Sequence, residues 1–267
     1  MEKSTKTDRQ KLIIFYALTL TVSSIFGLCY IAFRQTLWAY FMTWTPGLIA
    51  MICLKVFHDD FKSINLFSKI KRVYAVLGFC IPVLYLLPSF LLSWLILKDT
   101  PVSPAAPFRT LIPLLAIYIF AAIGEEIGWR GYAYPILERL HGPVIAVLIN
   151  GLFWGIWHIP LIIGGVYDSG VGVSYGVTMF LIGILPVAVI SCWMRSEGVG
   201  LMPVVLLHAV DNLLNMSYLD PMSTDNRIYY LAGEQGMITI TLEAVISGIV
   251  IFVWIRQRRA KAVEKRP

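Results

Sequence analysis

Long uncharged runs of apolar residues alternate with short polar segments along the whole chain of 267 residues. Several runs approach about 20 residues, the length that an α-helix needs to cross the hydrocarbon core of a bilayer. The pattern predicts eight spans, at about residues 12–33, 37–54, 73–97, 110–127, 143–163, 173–194, 199–215 and 237–255. We therefore expect an all-α, polytopic membrane helix bundle that forms a single domain over residues 1–267.

The composition is that of a membrane protein. Hydrophobic residues make up 58% of the chain and charged residues 14%, against about 25% charged residues in a typical soluble domain. The first apolar run is longer than the roughly 7–15 residues of a signal-peptide core, so it predicts a retained helix. The cysteines Cys29, Cys53, Cys80 and Cys192 lie in or beside apolar runs and are expected to be reduced packing residues.

The distribution of Lys and Arg predicts the orientation. With the N-terminus placed in the cytoplasm, 18 of the 22 basic residues fall on the cytoplasmic side, as the positive-inside rule requires. We expect both termini in the cytoplasm and a multi-pass protein of a prokaryotic plasma membrane. The net charge of +6 follows from this asymmetry, and we expect no nucleic-acid partner. The basic segment 55–72 fits either a surface amphipathic helix or a solvated loop.

Polar side chains inside the predicted spans are the exceptions to the apolar pattern. A charged residue at the centre of a membrane helix costs about 2.5–3.5 kcal/mol on insertion scales, so it marks a functional site by default. We expect Asn150 to bond between helices and Glu243 to pair with another buried group. Beyond the third span the set is Glu125, Glu126, Arg130, Asn150, His158, His208, Asp211, Asn212 and Glu243.

Helical spacing separates the two adjacent glutamates. Glu126 and Arg130 are four residues apart and share a helix face, whereas Glu125 lies about 100° around the helix from Glu126. We therefore expect Glu126 and Arg130 to form a structural ion pair. Glu125 is then left for chemistry.

Two histidines and an amide are predicted at a depth comparable with that of Glu125. His208 and Asn212 share a helix face by the same four-residue spacing, and His158 lies on another span. A carboxylate, two histidines and an amide match a general base, its helper and donors for an oxyanion. Each residue taken alone also fits a purely structural role.

Three short motifs occur in order within residues 124–212: E-E-x-x-x-R at Glu125, Glu126 and Arg130, F-x-x-x-H ending at His158, and H-x-x-x-N at His208 and Asn212. This ordered set resembles the CPBP family of intramembrane proteases. The family is also called the CAAX amino-terminal protease or Abi family, and it includes the type II CAAX prenyl endopeptidases. The chain departs from the second motif because Trp154 stands four residues before His158, so an aromatic side chain is kept.

The resemblance implies a glutamate-dependent endopeptidase that uses an activated water and forms no covalent intermediate. Its substrate would be a membrane-associated peptide or protein, such as one of prenylated CAAX type, and its other partner the lipid bilayer. We expect no cofactor and no metal. The implied roles are water activation by Glu125 and His158, oxyanion stabilisation by His208 and Asn212, and support by Glu126 and Arg130.

Two alternatives remain open from the sequence. A zinc-dependent protease is chemically reasonable, because Glu125, His158 and His208 provide two imidazoles and a carboxylate. A non-catalytic transporter or scaffold would use the same residues as a buried polar network.

Overall fold

The computed structural model describes residues 2–67, 70–104, 106–166, 171–197 and 200–264. Within these ranges the chain is helical and contains no β-strand, which confirms the predicted all-α bundle. The α-helices are α1 Glu2–Phe33, α2 Thr36–Val56, α3 Arg72–Leu97, α4 Leu111–Glu126, α5 Tyr134–Ile163, α6 Val173–Ser196, α7 Met202–Asn212, α8 Asp220–Met222 and α9 Met237–Glu264.

Six helical segments among the described residues are long and apolar enough to cross a membrane. One of them, Phe108–Ile163, runs for 56 residues, and it combines the predicted fourth and fifth spans. Its break lies at Gly142, where φ is 76° and ψ is 171°, a conformation that only glycine adopts without strain. The predicted seventh span corresponds to the 11-residue helix α7 and the helical turns after it. The count of eight spans therefore stays a prediction.

Ion pairs place the N-terminal end of α1 and the C-terminal end of α9 at the same end of the bundle. Adjacent residues of α5 bind them: Arg139 contacts Asp8 of α1 at 3.2 Å, and Glu138 pairs with Arg258 of α9. An even number of crossings gives this arrangement. The cytoplasmic location of that end remains a prediction.

The basic segment 55–72 contains a short 3₁₀-helix, Phe61–Ile64, in its described part. The side chain of Ile64 is buried, so the segment is anchored to the bundle. Between α2 and α3, the described residues form no helix other than this one. Ser68 and Lys69 lie outside the described residues.

Helix α2 packs with its backbone in direct contact with α4 and with the helical turn that follows Glu126, through glycines. A Cβ atom on Gly124 would lie 2.9 Å from the Cα atom of Trp44, and one on Gly128 would lie 2.6 Å from the carbonyl carbon of Pro46. Small residues permit this close approach between membrane helices, where dispersion contacts replace the hydrophobic effect as the driving force. Because Gly124 and Gly128 flank the two adjacent glutamates, this contact fixes their position against α2.

We expect Gly128→Ala to lower the thermal stability of the protein, because the backbone at Pro46 cannot move away from an added methyl group. Overpacking of this kind costs about 1–3 kcal/mol. The measurement is the midpoint of thermal unfolding of the purified protein in detergent. Gly248→Ala is the matched control, since a Cβ atom at that position of α9 meets no atom within 4 Å. Equal midpoints for the two variants would contradict the packing described.

Candidate active site

Glu126 and Arg130 form a fully buried ion pair. Nη1 of Arg130 donates to Oε1 of Glu126 at 3.0 Å, and neither side chain is exposed to solvent. The same oxygen accepts a hydrogen bond from Nδ1 of His208 on α7 at 2.9 Å. Glu126 therefore joins α4 to α7. The ion pair predicted from the four-residue spacing is present.

Glu125 has a different environment from its neighbour. Its Oε2 atom accepts a hydrogen bond from the indole Nε1 of Trp154 at 3.0 Å. The guanidinium of Arg130 lies over the face of the same indole ring, 3.9 Å from the ring centroid. Trp154 thus contacts the Arg130 cation with its ring face and donates to the Glu125 carboxylate through its N–H. A phenylalanine at this position would have no N–H to donate.

The helices that carry the site widen immediately after it. The π-helix Ile127–Ala133 follows Glu126, and the π-helix Leu213–Leu219 follows Asn212. Such segments bond from residue i to i+5 and often occur at functional sites. The first of them contains Arg130, whose carbonyl oxygen accepts a bond from Nε of Arg195 at 2.9 Å.

His158 is held in one tautomer by the helix to which it belongs. Its Nδ1 lies 2.9 Å from the carbonyl oxygen of Trp154. Because a carbonyl can only accept, Nδ1 must carry the proton, and in the neutral ring Nε2 carries the lone pair. The ring of Trp157 packs edge-to-face against the imidazole, with the centroids 4.6 Å apart.

One cavity of about 230 Å³ connects the residues predicted to be catalytic. Its lining includes Glu125 from α4, His158 from α5, and His208 and Asn212 from α7. Glu126 and Arg130 lie behind this lining, where they contact the cavity residues from the protein side. The structure therefore brings the predicted residues together, and their individual roles stay predictions.

The structure also shows site contacts that the sequence did not reveal. The hydroxyl of Tyr85 on α3 donates to Oδ1 of Asp211 at 2.6 Å. Asp211, Glu243 and Glu234 all line the cavity. Glu234 lies between α8 and α9, outside every predicted span, and the only available signal was its position in a short polar segment before an apolar run. Asn150 bonds to the carbonyl of Trp129 at 3.0 Å, as expected of a link between helices.

The zinc alternative requires several ligands around one ion. Across the parts of the chain that the structure describes, no three His, Cys, Asp or Glu side chains are arranged to hold a metal ion together.

Comparison with known proteins supports the resemblance seen in the motifs. Residues 107–214 match the family model described as "Type II CAAX prenyl endopeptidase Rce1-like". A curated protein named "CAAX prenyl protease 2" from Methanococcus maripaludis is 28% identical over 259 residues, which cover 87% of this chain and 92% of that protein. The predicted resemblance to the CAAX protease family is thus confirmed, and the chain is a membrane protein similar to a protease over most of its length. The matched range contains all the candidate site residues.

Removal of one member of the buried ion pair should destabilise the protein more than removal of both. Arg130→Met leaves the buried Glu126 carboxylate with only the His208 imidazole as its partner, for which we expect a loss of about 3–5 kcal/mol in the free energy of unfolding. The double variant Glu126→Leu/Arg130→Met removes both charges and should lose less than either single variant. The measurement is equilibrium unfolding in mixed detergent micelles, followed by circular dichroism.

The exposed pair of Arg227 with Asp225 provides the comparison, because the Arg227 side chain is 70% exposed. Arg227→Met should change the free energy of unfolding by less than about 1 kcal/mol. If the double variant lost as much free energy of unfolding as the two single variants together, Glu126 and Arg130 would not stabilise the fold as a pair.

Proposed function

We propose that this protein is an intramembrane endopeptidase that hydrolyses a peptide bond in a membrane-associated CAAX-type protein or peptide, with a water molecule activated by Glu125. One observation carries the proposal. Glu125 lines the cavity with His158, His208 and Asn212, while the adjacent Glu126 is bonded to Arg130. The first carboxylate is therefore available to a reactant, and the second is bound within the protein.

In the first step, water attacks the carbonyl carbon of the scissile peptide bond. Glu125 accepts a proton from this water on the carboxylate oxygen Oε1, because Oε2 is bonded to Trp154. His158 helps to orient the water through Nε2, the nitrogen that carries the lone pair in the tautomer set by the bond from Nδ1 to the Trp154 carbonyl. A positioned base of this kind contributes roughly 10²–10⁴-fold to the rate.

The attack places a negative charge on the carbonyl oxygen. Nε2 of His208, in the protonated ring, and the side-chain amide of Asn212 donate hydrogen bonds to this oxyanion, since both residues lie on the α7 wall of the cavity. Donors that are already oriented stabilise the developing charge without reorganising. The bond from Nδ1 of His208 to Glu126 fixes the orientation of the imidazole.

In the second step, Glu125 returns the proton to the nitrogen of the leaving amine. The C–N bond breaks, and a new carboxylate and a new amine leave the site. No covalent bond forms between enzyme and substrate. Among the described residues Arg130 forms no ion pair with Glu125, since Nη1 of its guanidinium bonds to Glu126 and the face of the guanidinium lies on Trp154.

The membrane provides the context of the reaction. We propose a multi-pass protein of the plasma membrane with both termini in the cytoplasm, as the asymmetry of basic residues indicates. The substrate would be tethered to the same bilayer, which brings its cleavage site to the depth of the cavity. A prenyl group is one such tether.

Glu125→Gln should abolish proteolysis and leave the fold intact, because glutamine keeps the shape of the side chain and loses its basicity. We expect at least a roughly 100-fold drop in the rate of cleavage of a fluorescence-quenched prenylated CAAX peptide. The measurement uses the purified full-length protein in detergent. Glu138→Gln is the control, since Glu138 pairs with Arg258 far from the cavity.

Treatment with a strong chelator separates the glutamate mechanism from the zinc alternative. The rate of the wild-type protein should not change. If the chelator stops cleavage and zinc restores it, the zinc mechanism is correct instead. Full proteolysis by Glu125→Gln would contradict both mechanisms and favour a structural role for the buried polar residues.

A further inference from the structure

One wall of the cavity carries three carboxylates that the proposed reaction does not use. They are Asp211 on α7, Glu234 in the segment between α8 and α9, and Glu243 on α9. We call these three residues the acidic wall. Among the described residues that line the cavity there is no Lys or Arg, and its two histidines, His158 and His208, belong to the proposed reaction.

Glu243 is a buried member of the acidic wall. The residue is buried, with a relative exposure of 6%, and no hydrogen bond or ion pair reaches its side chain from any described residue. Removing a charged carboxylate from water without a partner is strongly unfavourable. Glu243 therefore requires a proton or a cation that the described residues do not supply.

The surroundings of Glu243 contain an excess of hydrogen-bond acceptors. Oε2 of Glu234 and Oδ1 of Asp220 are buried and receive no bond from any described donor. Burial raises the pKa of Glu234 to about 8, and the neighbouring charges of Asp211 and Asp220 act in the same direction, so a bound cation would replace the proton that this carboxyl otherwise holds at neutral pH. Several acceptors without donors suit a group that carries several N–H donors and a positive charge.

The four basic residues that are not predicted to lie on the cytoplasmic side do not supply this charge. They are exposed on the surface, and none of them lines the cavity. They are Arg34, Lys98, Arg109 and Arg227.

We propose that the acidic wall binds a positively charged side chain of the substrate, Arg or Lys, close to the scissile bond. This inference rests on the proposed function, because the position of the charged residue is defined relative to the reacting groups. Asp211 lies three residues after His208, ~4.5 Å further along the helix axis. An extended peptide advances about 3.3–3.6 Å per residue. The charged residue therefore lies within about two residues of the bond that is cut.

The test compares pairs of membrane-anchored peptides that differ at a single position. One peptide of each pair has arginine there, and the other has citrulline, which has nearly the same shape and no charge. The pair is placed in turn at each position within three residues of the cleavage site. Binding to Glu125→Gln is measured by fluorescence anisotropy, so that no cleavage occurs during the measurement. At one position we expect arginine to bind roughly tenfold more tightly or better, as for a charge-assisted hydrogen bond.

Adding Glu243→Gln or Glu234→Gln to the Glu125→Gln protein should reduce the ratio of the two affinities towards one. Adding Glu138→Gln is the matched control and should leave this ratio unchanged. Two acidic-wall variants are used so that poor folding of one does not decide the result, and the elution profile of each in size-exclusion chromatography reports its folding. Equal affinities for arginine and citrulline peptides at every position would overturn the proposal.

Two further results separate this inference from the proposed function. Cleavage of the peptides by the wild-type protein with no preference for arginine leaves the endopeptidase standing and overturns the charge recognition. A preference in binding without any cleavage leaves the recognition site standing and contradicts the protease. Stabilisation by Ca²⁺, Mg²⁺ or Zn²⁺ alone that is lost in Glu243→Gln would show that the acidic wall binds a metal ion, which also overturns the proposal.

Discussion

The buried contact between Glu126 and Arg130 determines how the rest of the site is arranged. Glu126 accepts bonds from Arg130 and His208 on a single oxygen, which links α4 to α7 and pairs this carboxylate with the buried guanidinium. Arg130 in turn lies against Trp154, whose N–H reaches Glu125. Glu125, which faces the cavity, thus accepts a bond from the neutral Trp154 and forms no ion pair with any residue that the structure describes. Two adjacent residues of the same type acquire different chemistry because each has a different neighbour.

This arrangement depends on the close packing of α2 against α4. A buried ion pair is tolerated only where the fold holds its geometry firmly, because the cost of desolvation is large. Gly124 and Gly128 hold this part of the chain in place, because they allow its backbone to contact residues 43–46 of α2. The two π-helices then widen the helices at the ends of the site.

Much of this could be predicted from the sequence, because a membrane makes polar residues conspicuous. The apolar runs predicted the helices, and the four-residue spacing predicted the pair of Glu126 with Arg130. The hydrogen bond from Trp154 to Glu125 was not predicted, since it depends on how α5 is rotated against α4. Glu234 was missed for another reason, because it lies outside the apolar runs and reaches the cavity only through the fold of the segment before α9. The π-helices leave no periodic signal in so apolar a sequence.

The central claim is that Glu125 acts as a base on water while Glu126 remains bound to Arg130. It is tested most directly by a single turnover in water enriched in ¹⁸O, with enzyme in excess over a membrane-anchored peptide. Mass spectrometry then locates the label. The mechanism predicts one ¹⁸O atom in the new carboxylate of the product and none in the enzyme fragment that contains Glu125. An ¹⁸O atom in Glu125 together with an unlabelled product would show a covalent acyl intermediate and contradict the claim.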